Sequence, residues 1–328
     1  MLYLELSRKS GAVGSSIAST VRVEATPPLL SGSNRAYLET FLPDRFQPAT
    51  PDRGAGWSTK MIVYSVLTVM PLAVSCGADM DASPNPAAPA AATQPVRPIK
   101  PMPVSAEQTA RLPRATTFTR LRGAPKDTDS LDPGDGAVTH PTEPQIVYAH
   151  PGGPPVAVLP TTEMGSATWV PIVQTQPGWV RVLLPSRPNK STGWIYSDGG
   201  GLQNAYSPYR VEIELSARRL TLFKAGHRLR SWTVAVGAAD TPTPTGRTFL
   251  LAALSPPKPT YTPLILPLGM HSTSLDSFDG GPSTIALHGW PDKSVFGRDI
   301  SHGCVRIPST ALRVLSRIPL GSSVLITA

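Results

Sequence analysis

The chain has 328 residues, 38 of them proline, with 40% hydrophobic and 16% charged residues and a formal charge of +8. That hydrophobic content excludes a wholly disordered chain, and the proline load, concentrated in one Pro/Ala stretch, excludes a chain packed throughout. The positive charge raises nucleic acid as a partner. However, Arg218, Arg219 and Lys224, and Arg228 with Arg230, are scattered over alternating strand-like segments and read as a solvated face, so no nucleic acid is expected and an anionic wall or membrane surface fits equally well.

Residues 1–60 carry mixed charges and prolines without sustained periodicity. They read either as translation from a start codon assigned too far upstream or as a cytoplasmic extension. From Met61 to Ser75 an apolar segment follows Arg53 and Lys60 and ends at Cys76. It falls short of the roughly 20 apolar residues of a membrane helix and matches the roughly 7–15 of a signal-peptide core, so export is expected. Leu72-Ala73-Val74-Ser75-Cys76 resembles the lipobox of bacterial lipoproteins, which implies lipidation of Cys76 and a membrane anchor. An ordinary cleaved signal peptide and a buried hydrophobic helix are the alternatives for 61–76. The stretch Asp79–Pro103 is dominated by Pro, Ala and Ser and cannot bury enough apolar surface to offset chain entropy, so 77–144 reads as a disordered tether.

Between Gln145 and Tyr206 short apolar runs at Ile146–Tyr148, Val156–Leu159, Trp169–Val173, Trp179–Leu184 and Trp194–Tyr196 alternate with breakers such as Gly152-Gly153-Pro154 and Gln176-Pro177-Gly178. This spacing predicts a small antiparallel barrel. The stretches Gly178–Leu183 and Ser191–Ile195 resemble bacterial SH3-like modules found beside wall enzymes. A packing domain that binds nothing is the alternative, because tryptophans in small barrels are often core.

From Tyr209 the alternation lengthens: Val211, Ile213 and Leu215 against Glu212 and Glu214, then Leu220 and Leu222, a turn at Ala225-Gly226, and Trp232–Val236. A hairpin-rich β domain is predicted to the C-terminus, with one helix at Ser309–Arg317, where Ser309 caps and Ala311, Leu312 and Leu315 form the apolar stripe.

The chemistry-bearing residues are Ile285-Ala286-Leu287-His288-Gly289-Trp290 and Ser301-His302-Gly303-Cys304-Val305-Arg306. A neutral thiol is a poor nucleophile near pH 7, so a cysteine that attacks carbonyls needs a base such as His288 beside it. The two blocks resemble the catalytic signature of L,D-transpeptidases, and Thr241-Pro242-Thr243-Pro244-Thr245-Gly246-Arg247 resembles the Pro-Thr-Pro-x-Gly element of the same domain. The resemblance covers roughly 209–328 and implies a mainly β fold, a β-sandwich catalytic domain with a short helix, preceded here by the SH3-like barrel at 145–206. It also implies roles: Cys304 as nucleophile, His288 as proton acceptor and donor, the Gly289 carbonyl orienting His288, His302 shaping the site, Gly303 among the oxyanion donors, and Ser301, Trp290 and Arg306 around the substrate. Arg306 meets either a stem carboxylate or a structural acid. The loops 290–300 and 263–282 are expected to line the cleft.

The implied substrates are peptidoglycan stem peptides: a donor tetrapeptide that loses D-alanine on acylating Cys304, and an acceptor whose side-chain amine completes a 3→3 cross-link. Carbapenem-type β-lactams are the implied inhibitors, and no metal or organic cofactor is needed. The module order looks actinobacterial, and the expected location is the outer face of the cytoplasmic membrane or the wall. Within the same chemistry an L,D-carboxypeptidase or a protein-to-wall attachment enzyme remains open, and from another class a non-catalytic wall-binding protein. A Cys76–Cys304 disulfide and a zinc site from His271, His288, His302 and Cys304 are the rival uses of these residues.

Overall fold

The computed structural model describes residues 97–256 and 260–328, together with the two-residue strand Gln47–Pro48. The expected signal segment at 61–76, Cys76, and nearly all of 1–60 and 77–96 lie outside the described residues. Pro98–Ala328 fall in one compact unit.

The tether expected to run to residue 144 ends well before it. Helix α1 (Ala106–Arg111) is closed by a capping box in which Ser105 Oγ accepts from the Gln108 N–H and the Gln108 side chain accepts from the Ser105 N–H. Beyond it Ala115, Leu121 and Asp127 are buried. Contacts with strands far downstream supply the burial that local composition lacks, and this is why a proline-rich segment packs here.

Strand β1 (Ala137–Pro141) precedes the boundary expected at 145. It is followed by β2 (Gln145–Tyr148), β3 (Pro155–Leu159), β4 (Val170–Gln176), β5 (Trp179–Leu183), β6 (Thr192–Tyr196) and β7 (Leu202–Tyr206). They form one antiparallel sheet in the order β7-β1-β4-β5-β6-β2-β3, with Gln47–Pro48 paired outside β7. Trp179 is buried, meets Tyr148 and Tyr196 edge-on, and donates its indole N–H to the Ile99 carbonyl at 2.7 Å. Packing therefore accounts for this tryptophan.

The C-terminal half contains β8 (Tyr209–Glu214), β9 (Arg219–Lys224), β10 (His227–Thr233), β11 (Gly246–Phe249), β12 (Ile265–His271), β13 (Thr284–Gly289), β14 (Val305–Ile307), α2 (Ser309–Leu315) and β15 (Ser323–Thr327). One sheet runs β10-β9-β8-β15-β11, with β15 parallel to β8; the other runs β12-β13-β14, with β14 parallel to β13. Val211 and Ile213 point inward from β8 while Glu212 and Glu214 stay nearer solvent, as a half-buried strand requires. β13 instead is buried along nearly its whole length, with Ile285 and Leu287 in the core and Thr284, Ala286 and His288 alternating onto its other face. Leu220, Leu222, Leu266, Leu268, Ile285, Leu287, Val305, Ile307 and Ile326 share one core between the sheets, each fully buried Leu or Ile contributing about 1.5–3 kcal/mol. Arg228 and Arg230 lie on the exposed edge strand β10, where charge discourages pairing with another chain.

Helix α2 packs Ala311, Leu312 and Leu315 inward as its stripe predicts. Two details differ. Pro308, not Ser309, is the N-cap, and the helix stops at Leu315, short of Arg317. Proline's fixed φ suits the extended cap position, and Ser309 is drawn into the first turn.

The two halves share a core. Phe249 and Leu251 are buried in the cluster of the N-terminal sheet. Beside them Arg247, from the Thr-Pro motif, makes a two-point bond to Asp127 at 2.9 and 3.1 Å with both side chains buried.

Candidate active site

Parallel pairing of β13 with β14 sets His288 opposite Arg306 and Leu287 opposite Val305, so the cysteine just before β14 falls beside Ala286, two residues from His288 along the strand. His288 is buried, and its Nδ1 lies 3.0 Å from the Gly289 carbonyl oxygen. That contact selects the tautomer with the proton on Nδ1 and leaves Nε2 as the acceptor. Thr262 Oγ1 accepts from the Gly289 N–H at 2.9 Å and donates to the Leu264 carbonyl at 2.7 Å, which tethers the residue whose carbonyl meets the ring. Tyr261 and Trp290 form an aromatic wall, 5.3 and 6.0 Å from the His288 ring.

Cys304 is a free, half-buried thiol on a loop tied down from below. Ser301 Oγ accepts from the Gly303 N–H at 3.1 Å and donates to the Cys304 carbonyl at 2.5 Å. Thr241 Oγ1 donates to the Ser301 carbonyl at 3.0 Å and Thr243 Oγ1 to the Gly303 carbonyl at 2.8 Å. The Thr-Pro-Thr-Pro motif thus holds the Cys304 loop, and its prolines keep the chain extended so that both hydroxyls reach it. Gly237 lets the motif approach: a Cβ there would lie 2.3 Å from the Thr241 carbonyl oxygen. Gly303 has φ +112°, a conformation that favours glycine. Its N–H, expected among the oxyanion donors, here donates to Ser301 Oγ.

Burial pushes the Cys304 thiol above the ordinary range, opposed by a backbone hydrogen bond from Ala286 and by the Arg306 charge. Burial likewise pushes His288 below the usual histidine range; the Gly289 carbonyl opposes this and Arg306 adds to it. Both shifts disfavour the charged forms, the thiolate of Cys304 and the imidazolium of His288.

A cleft of about 670 Å³ is lined by Cys304, His288, Trp290, Ser301, His302 and Arg306, joined by Tyr261 and by Phe278–Asp279 and Ser283–Ala286. Gly289 opens instead onto an adjoining hollow of about 500 Å³ that shares Tyr261 and Trp290. Arg306 lies with its guanidinium carbon 3.6 Å from the Trp290 ring centroid, and its buried Nε has no hydrogen-bond partner. His302 is exposed, its ring 5.3 Å from that of Phe278. His271 is turned elsewhere, with Nε2 2.7 Å from the Thr117 carbonyl, so it does not join the other three residues of the rival zinc set. Among the described residues no three His, Cys, Asp or Glu side chains converge as a metal set.

Tyr261 and Thr262 were not legible as site residues. They precede the segment expected to line the cleft by one or two positions, and no short motif marks them.

Residues 208–326 match the family model of the L,D-transpeptidase catalytic domain, YkuD. A relative from Bacillus licheniformis, assigned the name L,D-transpeptidase YkuD, is 27% identical over 153 residues, spanning 45% of this chain and 86% of that protein. Its namesake from Bacillus subtilis is 27% identical over 149 residues, spanning 44% of this chain and 84% of that protein. Among solved structures, an L,D-transpeptidase from Mycobacterium smegmatis aligns over 48% of this chain and 99% of its own at 14% identity and a TM-score of 0.33. The matched span takes in the blocks around His288 and Cys304 and the Thr-Pro motif, and it excludes the N-terminal sheet.

Proposed function

We propose that this protein is a cysteine acyltransferase of peptidoglycan, acting on tetrapeptide stems outside the cytoplasmic membrane. The observation that carries the reading is that His288 and Cys304 line one cleft, with the Gly289 carbonyl holding the imidazole in its accepting tautomer.

In this reading the Cys304 proton passes to His288 Nε2 as the sulfur adds to the carbonyl that precedes the terminal D-alanine of the donor stem. Backbone N–H groups of the Cys304 loop take up the oxyanion charge. The C–N bond breaks, His288 returns the proton to the leaving amine, and a thioester remains on Cys304. A side-chain amine of an acceptor stem then adds to the thioester carbonyl and gives its proton to His288; the C–S bond breaks, the sulfur takes that proton back as the thiol, and the new amide is a 3→3 cross-link. Arg306 carries a buried donor with no partner next to the thiol, which suits a stem carboxylate. The N-terminal sheet takes the part of an SH3-like module, and the segment ending at Cys76 that of a lipoprotein anchor.

The test is incubation of the purified protein with disaccharide-tetrapeptide, with products read by mass spectrometry beside Cys304→Ala and His288→Ala. D-alanine loss with a linked dimer, abolished in both variants, is the expected result. Release without dimer turns the assignment to carboxypeptidase, and untouched substrate overturns it.

A further inference from the structure

The loop between β5 and β6, in the N-terminal sheet, reaches the rim of the cleft. Arg187 spends its guanidinium on four backbone carbonyls of one segment: Nη1 donates to Ser272 at 3.1 Å, and Nη2 to Leu275, Asp276 and Pro282 at 3.0, 3.4 and 2.9 Å. Two residues on, Asn189 donates to the His271 carbonyl at 2.7 Å and accepts from the His271 N–H at 2.8 Å, standing in for a strand partner. From the segment after α1, Thr117 Oγ1 meets Thr284 Oγ1 at 2.7 Å.

The clamped segment is a hairpin. The Ser272 N–H donates to the Ser283 carbonyl at its base, and Phe278 and Gly281 exchange both backbone bonds at its tip. Asp279 and Gly280 have φ of 49° and 77°, which suits a tight two-residue turn. The tip carries Phe278 onto His302, and Phe278, Asp279, Ser283 and Thr284 line the same cleft as Cys304. Carbonyls on both legs converge on one planar, fixed-geometry donor, which a lysine's single ammonium cannot replace.

We infer that the N-terminal sheet is a working part of the catalytic cleft: Arg187 and Asn189 are positioning residues that hold the 272–283 hairpin beside Cys304 and so set the shape of the donor-stem subsite. The stem as ligand rests on the function proposed above; the positioning itself does not.

The experiment uses the whole chain, with Arg187→Ala, Arg187→Lys and Arg228→Ala on the remote edge strand as control. Three readouts are taken: amide hydrogen exchange across 272–283, alkylation of Cys304 by iodoacetamide and by a bulky aryl maleimide, and kcat and KM with disaccharide-tetrapeptide. Arg187→Ala is expected to speed exchange in 272–283 at least about tenfold while β13 and β14 exchange as before, since charged hydrogen bonds are lost locally and the core is untouched. The ratio of maleimide to iodoacetamide rates rises as the cleft wall loosens, and kcat/KM for the stem falls about tenfold or more, mostly through KM. Arg187→Lys gives the same direction with smaller effects and stands in if the alanine variant does not fold. Hairpin exchange and reagent ratio equal to wild type in both Arg187 variants overturn the inference. If wild type leaves the tetrapeptide untouched, the proposed substrate fails, and exchange and alkylation still decide the role of Arg187.

Discussion

His271 makes the stability of this protein depend on pH in a way that can be worked out. Its ring is buried, Nε2 bonds the Thr117 carbonyl at 2.7 Å, and burial, opposed by that bond and assisted by the charges of Arg187 and Arg120, lowers its pKa from 6.5 to about 4. The unfolded chain binds the proton more tightly than the folded one, so the native state is favoured above pH 6.5 and loses stability as pH falls toward 4. Linkage over that interval gives a loss of about 2 kcal/mol by pH 5 and about 3 kcal/mol by pH 4. The perturbation is His271→Gln, whose side-chain N–H can still reach the Thr117 carbonyl but does not titrate. Urea unfolding of both proteins at several pH values between 7.5 and 4 isolates the histidine, because every other titrating group cancels in the difference. The variant is expected to gain on wild type by about 2 kcal/mol between pH 7.5 and 5. A difference that stays flat over this range would refute the argument, since it would mean that the ring charges without cost in its pocket.

Three further outcomes follow from the same structure. Alkylation of Cys304 by iodoacetamide should rise with pH through a midpoint above the roughly 8.5 of a free thiol, and a plateau reached already near pH 6–7 would mean a preformed thiolate–imidazolium pair. Asp127→Ala strands the buried Arg247 guanidinium, with Asp132 at 3.8 Å as a partial substitute, and should cost about 3 kcal/mol in denaturant unfolding. Gly303→Ala forces a side chain onto φ +112° with its Cβ 3.1 Å from Ile285 Cδ1; a stability loss of about 1–3 kcal/mol together with slower acylation of Cys304 is expected, and an unchanged rate would remove the loop shape from the chemistry.

His288 and Cys304 were singled out in the chain itself because the short blocks around them resemble a known catalytic signature, and the structure brings both to one cleft. The strands were legible for a different reason: Val211, Ile213, Leu220 and Leu222 alternate with polar neighbours, and alternation is a local property. Helix α2 was read from its apolar stripe, although its cap fell to Pro308. Composition misled between 105 and 144, where Pro, Gly and polar residues look unable to pack; Ala115, Leu121 and Asp127 find partners that no local window contains.

The sequence by itself determined the predominance of β structure and singled out His288 and Cys304 as the residues for the proposed chemistry. Only the tertiary structure decided what surrounds that chemistry: Thr262 beneath Gly289, Thr241 and Thr243 beneath the cysteine loop, and Arg187 on the 272–283 hairpin. Each of these contacts joins segments distant in sequence through one side chain and a backbone group. A backbone carbonyl has no residue identity for a motif to record, so such contacts become visible only when the chain is folded.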